Sequence, residues 1–189
     1  MTLVDGSRVG VIGGGPAGSF FAYFLFRMAE SAGLDISVDI YEPRLFDRCG
    51  PAGCNHCGGV VSESLVQLLA TEGINLPDTV VQRGIESYVL HTDVGQVRID
   101  TPLQEMRIAA IYRGNGPKQS EPVDITGFDR YLLDLSTKAG ARVVRKLVTG
   151  FDWDHGRPSI RTADGEVASY DLVAVAAGVN SRILEQLNS

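Results

Sequence analysis

Apolar and polar positions divide this chain into segments of different period. The run Arg8-Val9-Gly10-Val11-Ile12 is short, apolar and closed by Gly13, Gly14 and Gly15, which predicts a buried strand ending in a tight turn. Pro16 then stands where a helix begins, and Phe20, Phe21, Tyr23, Phe24, Leu25 and Phe26 fit a helix buried on several sides. Ile36 to Glu42 alternates as a second strand and ends in a carboxylate. Together these segments make one β-α-β unit.

Beyond it, Pro43 to Val61 reads as a loop carrying all three cysteines. Ser62 predicts an N-cap for a helix with Leu65, Val66, Leu68 and Leu69 inward, ending near Gly73. Ile85–His91 and Val97–Ile99 read as strands around an Asp93–Gln96 turn, an antiparallel piece within an α/β domain. Tyr112–Pro117 and the polar run to Pro122 form a returning loop. Thr126 and Asp129 then suggest a capping box, with Phe128, Tyr131, Leu132 and Leu135 at helical spacing before Gly140. Residues 142–154 and 159–162 read as a hairpin turning at His155-Gly156, followed by a turn at Asp164-Gly165. Asp171–Ala176 is continuously apolar after Asp171, which predicts a parallel strand buried on both faces. The expected fold class is α/β: a Rossmann-like domain from residues 1–75 and 123–189, with an inserted β-rich, substrate-side segment at 76–122.

Composition narrows the function. Of 189 residues, 44% are hydrophobic and 21% charged, which describes a globular chain rather than a disordered one. The net charge of −6, without a basic stripe, argues against a nucleic-acid partner, because phosphate binding needs clustered Lys and Arg. No charge falls between Val9 and Phe26, but the glycines and Pro16 split that stretch into strand and helix, so no transmembrane segment is expected. Asp5 and the glycines also disfavour a secretory signal, leaving a cytoplasmic location as the default expectation.

The chemistry concentrates in the first turn. Gly13, Gly15 and Gly18 stand in G-x-G-x-x-G spacing between strand and helix, the arrangement that binds a dinucleotide. The first glycine permits the turn, the second lets a pyrophosphate reach the backbone, and the third lets helix and strand pack closely. Pro16 and Ala17 open the helix whose amide end faces the ligand's charge. Glu42 sits at about the offset that holds a ribose 2′-hydroxyl and would repel a 2′-phosphate, so FAD or NAD(H) is expected rather than NADP(H). Arg44 and Arg48 follow closely enough to pair with phosphate or ribose.

Cys49, Cys54 and Cys57 have C-x4-C-x2-C spacing, with His56 between the last two. A plant-type [2Fe–2S] site needs a fourth cysteine, which the sequence lacks, and adjacent His56 and Cys57 suit one zinc ion poorly. No metal is expected; a Cys54/Cys57 redox pair and plain free thiols stay open. His91 and His155 are read as structural, and Phe151 and Trp153 as packing residues. No Ser-His-Asp order points to a hydrolase.

Four stretches together resemble the FAD-dependent oxidoreductases of the geranylgeranyl reductase type, relatives of the flavin aromatic hydroxylases. They are the Gly13–Gly18 turn with Glu42; Cys57-Gly58-Gly59-Val60-Val61-Ser62, similar to a Cys-Gly loop beside flavin and substrate; Phe128-Asp129-Arg130-Tyr131-Leu132; and Asp171–Ser181. The last contains Ala177-Gly178-Val179-Asn180-Ser181, which resembles an Asp-Gly-x-x-Ser motif near the pyrophosphate. The resemblance implies FAD as cofactor, Cys57 as the thiol nearest the flavin, and Gly58, Gly59 and Gly178 as cofactor contacts. It implies flavin-mediated hydride or electron transfer to an apolar or lipid-like alkene. Ala177 replaces the family's Asp, and Ile125 replaces a flavin-contacting Arg. The family's ribityl-contacting Gly-Asp motif has no counterpart before Ser189. The expectation is therefore an N-terminal portion lacking the C-terminal part of the family fold, or a chain that needs a partner. An aromatic-type FAD monooxygenase and a non-catalytic nucleotide-binding subunit are the alternatives.

Overall fold

A computed structural model describes residues 2–47, 59–100, 108–111, 126–178 and 181–188. The chain forms two compact units, one from residues 1–48, 52–54 and 129–189 and the other from 49–51 and 55–128. This grouping puts residues 55–75 with the second unit, a different cut from the boundary at 75–76 expected from sequence.

The first unit is built on a four-stranded parallel sheet of β1 (Arg8–Ile12), β2 (Ser37–Tyr41), β8 (Arg142–Val144) and β12 (Leu172–Val175), in the order β12-β1-β2-β8. Alternation sorts each strand's side chains onto two faces. Val9, Val11, Val38, Ile40, Leu172 and Ala174 join a core with Ala22 and Ala29 of helix α1 (Pro16–Ser31) and Leu133 of helix α3 (Phe128–Lys138). Ile12, Tyr41, Val173 and Val175 turn the other way, into a core with Ile160, Tyr170 and Ile183. That face is covered by an antiparallel sheet of β9 (Val148–Asp154), β10 (Arg157–Thr162) and β11 (Val167–Ser169).

Local chemistry accounts for much of this. The β9–β10 turn is at His155-Gly156, with φ of 48° and 80°, the paired left-handed geometry of a two-residue hairpin. In α1 the fully buried positions are the small ones, Gly18, Ser19, Ala22 and Ala29, while Phe20, Phe21, Tyr23, Phe24, Leu25 and Phe26 are only half-buried. The helix therefore approaches the sheet through its narrow side.

Three expectations change. The run 142–154 is two strands, because Arg142 forms a bidentate ion pair with Asp39 that aligns β8 beside β2, and the chain turns over 145–147 before β9. β12 packs on both faces but each residue is only half-buried, since it pairs with β1 alone among the described strands. Trp153 is exposed, whereas Phe151 packs as expected.

In the second unit, Ser62 caps helix α2 (Glu63–Thr71) by accepting the Leu65 amide at 3.3 Å. β3 (Val60–Ser62), β7 (Ile108–Ile111) and β4 (Val81–Ile85) form an antiparallel sheet in the order β3-β7-β4. The segment expected as one strand from Ile85 to His91 breaks at Glu86: β4 pairs with β7, while β5 (Ser87–Thr92) pairs with β6 (Gly95–Asp100). No described strand extends that hairpin, and Tyr88, Leu90, Val97 and Ile99 share one of its faces, all exposed. Among the described residues no helix is long and apolar enough to cross a membrane.

Candidate functional site

The strand β1 ends where its neighbours dictate. Gly13 has a φ of +104°, and its amide donates to Tyr41 O at 2.9 Å, tying the turn to the end of β2. A Cβ on Gly13 would meet Ala176 O at 2.4 Å, and one on Gly18 would meet Gly13 O at 1.9 Å. These two glycines are therefore demanded by packing within the fold. Gly15 differs: a Cβ there would have nothing within 4 Å, and its φ of −69° suits any residue. Its lack of a side chain leaves open space directly at the start of α1.

That helix start is a set of donors. The first backbone bond is from the Ser19 amide to Gly15 O at 2.9 Å, and the amides of Gly15, Ala17 and Gly18 have no protein acceptor among the described residues. Pro16 at the first helical position contributes no N–H and fixes the entry angle. No acidic side chain lies in the first turn to neutralise the helix dipole. The arrangement suits an anion.

Glu42 lies just past β2 and is fully buried. Its Oε2 accepts the Gly14 amide at 3.0 Å and an Arg44 guanidinium N–H at 3.1 Å, while Oε1 accepts the Arg44 amide at 3.0 Å and Arg44 Nε at 2.8 Å. The Glu42 amide continues the sheet by donating to Val144 O at 3.1 Å. Arg145 donates to the carbonyl oxygens of Glu42 and Arg44 and so holds the segment after β2. The Arg44 guanidinium also lies 5.5 Å from the centre of the Phe46 ring.

Ile12, Gly13, Tyr41, Glu42, Pro43, Arg44, Leu147, Val148, Ala177 and Ser181 line one cavity of about 300 Å³ at the carboxyl end of the parallel strands. In open α/β sheets that end is where ligands bind. A larger cavity of about 590 Å³, bounded by the end of α1 and by Ala139-Gly140, contains none of the motif residues.

Gly13, Glu42 and Arg44 thus come together, Gly15, Pro16, Ala17 and Gly18 stand on the adjoining turn and helix, and Gly178 follows Ala177 at the cavity wall. Gly59 belongs to the second unit, where its carbonyl accepts the Ile111 amide at 2.6 Å. Arg48, Cys49, Cys54, His56, Cys57, Gly58, Tyr112–Pro117, Ile125 and Asn180 lie outside the described residues. His91 is in β5, and His155 is exposed beside the carboxylate of Asp154 at 2.6 Å, a partner the sequence reading did not assign.

Sequence reasoning missed a buried polar cluster under this cavity. Tyr41 and Tyr170 share a hydroxyl–hydroxyl bond of 2.7 Å, Tyr170 donates to Asp39 Oδ2 at 2.8 Å, and Arg142 grips both Asp39 oxygens at 2.7 and 2.8 Å. Burial pushes the Tyr170 hydroxyl well above the ordinary phenol range, and its bonds to Tyr41 and Asp39 push the same way. Burial also opposes ionisation of Asp39, but hydrogen bonds from Arg142 and Tyr170 and the charges of Arg142 and Arg8 overcome it and hold the carboxyl below its usual value. The one signal available was a charge at position 39 in an otherwise apolar strand.

No protein-family model matches the sequence, and no curated protein matches it. Solved structures do match its fold. The Diels-Alderase PyrE3 of pyrroindomycin biosynthesis superposes with a TM-score of 0.66 at 18% identity, covering 96% of this chain and 34% of its own. The halogenase PltM, solved with phloroglucinol and FAD, gives 0.61 at 15% identity over 96% of this chain and 36% of its own. The flavin-dependent brominase Bmp2 gives 0.59 at 18% identity, covering 92% and 38%. The fold is therefore one shared with flavoprotein enzymes, and the chain spans about a third of those proteins' length.

Proposed function

We propose that this chain is the nucleotide-binding portion of an FAD-dependent oxidoreductase. The observation that carries the reading is the convergence, at one end of the parallel sheet, of an open turn at Gly15, donor amides at the start of α1 and the buried carboxylate of Glu42. The donor set fits the adenosine-diphosphate half of FAD. The amides of Gly15, Ala17 and Gly18 would face the pyrophosphate, and Glu42 would face the ribose hydroxyls. Leu147 and Val148 give the same cavity an apolar wall.

When bound, FAD supplies hydride or electron transfer, and the protein's part is to hold and orient it. The resemblance to geranylgeranyl reductases makes the substrate an apolar or lipid-like alkene, with Cys57, Gly58 and Gly59 beside the flavin. The active form would include polypeptide beyond these 189 residues, in the same chain or in a partner, which accords with flavoenzyme relatives about three times as long.

Titration of the protein with ADP, FAD and NAD, followed by calorimetry, tests the reading. Saturable binding of ADP and FAD is expected, and it should be lost when Gly15 is replaced by Val. Absence of any saturable signal from folded protein would sink the dinucleotide assignment.

A further inference from the structure

The carboxylate assigned to the ribose is already fully engaged. An ionised carboxylate offers about four acceptor positions, and Glu42 uses four hydrogen bonds: one from Gly14, one from the Arg44 amide and two from the Arg44 guanidinium. The two backbone donors belong to the turn and to the strand end, so they stay wherever the fold stays. The two guanidinium donors are different in kind. The Arg44 side chain is 43% exposed while Glu42 is 1% exposed, so the arginine reaches the buried acid from the solvent side. Both residues line the same cavity.

From this competition for one carboxylate we infer that Arg44 is a specificity-determining residue: it occupies the ribose position of Glu42 and must withdraw before a ribose diol can bind there. The inference rests on the dinucleotide reading above. A diol brings two hydroxyl donors to the positions that the guanidinium holds, so binding exchanges a charge-assisted pair for two neutral-donor bonds to the same anion. The ion pair is half open to water, which limits what the exchange costs. A ligand lacking the diol leaves the pair intact and bears no such cost. Arg44 therefore lowers the affinity for ribose-bearing ligands, the reverse of an arginine that grips phosphate. Its removal also leaves Gly14 and the residue-44 amide still bonded to Glu42, so the acid remains positioned to receive the hydroxyls.

The test compares ADP with 2′,3′-dideoxy-ADP by calorimetry on the wild-type protein and on the Arg44→Gln and Arg44→Lys variants, with thermal unfolding as the check on folding. Arg44→Gln should bind ADP about fivefold more tightly, the equivalent of a partly exposed ion pair. The same substitution should leave the affinity for 2′,3′-dideoxy-ADP unchanged. Arg44→Lys, which keeps the charge but loses the two-point fork, should show a smaller gain confined to ADP, and it carries the test if the Gln variant does not fold. Weaker ADP binding in both variants would overturn the inference by making Arg44 a direct ligand contact. An equal gain for the dideoxy compound would overturn it too, by removing the link to the diol. If ADP bound neither wild type nor variants, the dinucleotide reading itself would fail and take this inference with it.

Discussion

Gly15 and Gly18 are three residues apart in one motif, yet physical reasoning assigns them opposite failures. A side chain at 18 collides with the Gly13 carbonyl, a backbone atom that cannot rotate away. Gly18→Ala should therefore cost about 1–3 kcal/mol of stability as an overpacking change, read as a lowered urea midpoint. A side chain at 15 meets nothing in the protein. Gly15→Val should leave the midpoint within about 0.5 kcal/mol of wild type, while ADP affinity falls at least tenfold because the pyrophosphate would have to occupy that space. A large loss of stability with unchanged ADP binding would refute this division. The roles of these glycines were legible in the sequence because the constraint is local: strand, turn and helix follow one another along the chain. Gly10 was not. A Cβ there would lie 2.7 Å from Ile160 and 2.9 Å from the Tyr170 ring, partners about 150 positions away that only the folded sheets bring together.

At the level of elements, the parallel sheet and its antiparallel cover are joined by polar as well as apolar contacts, and the polar ones set strand register. Tyr170 bridges Tyr41 and Asp39 of β2 from the layer below, and Arg142 aligns β8 against the same Asp39. Tyr170→Phe keeps the ring but strips the hydroxyl, leaving buried Tyr41 without that partner. The expected loss is about 1–3 kcal/mol in urea unfolding, the cost of an unsatisfied buried polar group. A loss well under that range would mean that water replaces the hydroxyl. pH provides a second check. The folded-state pKa of Asp39 lies below its unfolded value, so the native state binds fewer protons there. Its contribution is present above the unfolded pKa and lost as pH falls through the folded one. Between about pH 6 and about pH 3, spanning the ordinary carboxylate range, the wild-type urea midpoint should drop further than that of Asp39→Asn. Parallel curves would remove Asp39 from the acid response. Hydrophobic periodicity announced most of these elements, but not that residues 142–154 divide between two sheets. The dividing feature is an ion pair between residues 39 and 142, and pairing across 103 positions has no periodic signature.

On the scale of the whole molecule, the described cavity carries chemistry for one half of a dinucleotide. Donor amides, a buried acid and an apolar wall account for phosphate, ribose and a purine. The sequence features assigned to the flavin half, Cys57 and Gly58, are few, and the family's Gly-Asp motif for the ribityl chain has no counterpart in these 189 residues. The solved flavoenzymes that share the fold devote nearly two-thirds of their length to residues with no counterpart here. Affinity is a logarithmic measure of contacts made minus freedom lost, so a ligand half that touches nothing adds nothing and loses nothing. FAD should consequently bind this protein no more than about threefold more tightly than ADP, a difference below 1 kcal/mol. The bound isoalloxazine should keep its solvent-like absorbance and remain open to quenching by iodide. Calorimetry with the two ligands gives the ratio, and quenching gives the exposure. An FAD affinity a hundredfold above that of ADP, with a shielded and shifted flavin spectrum, would show that residues of this chain close over the ring. The reactive end of the cofactor would then be built here, and the requirement for further polypeptide would lose its main physical support.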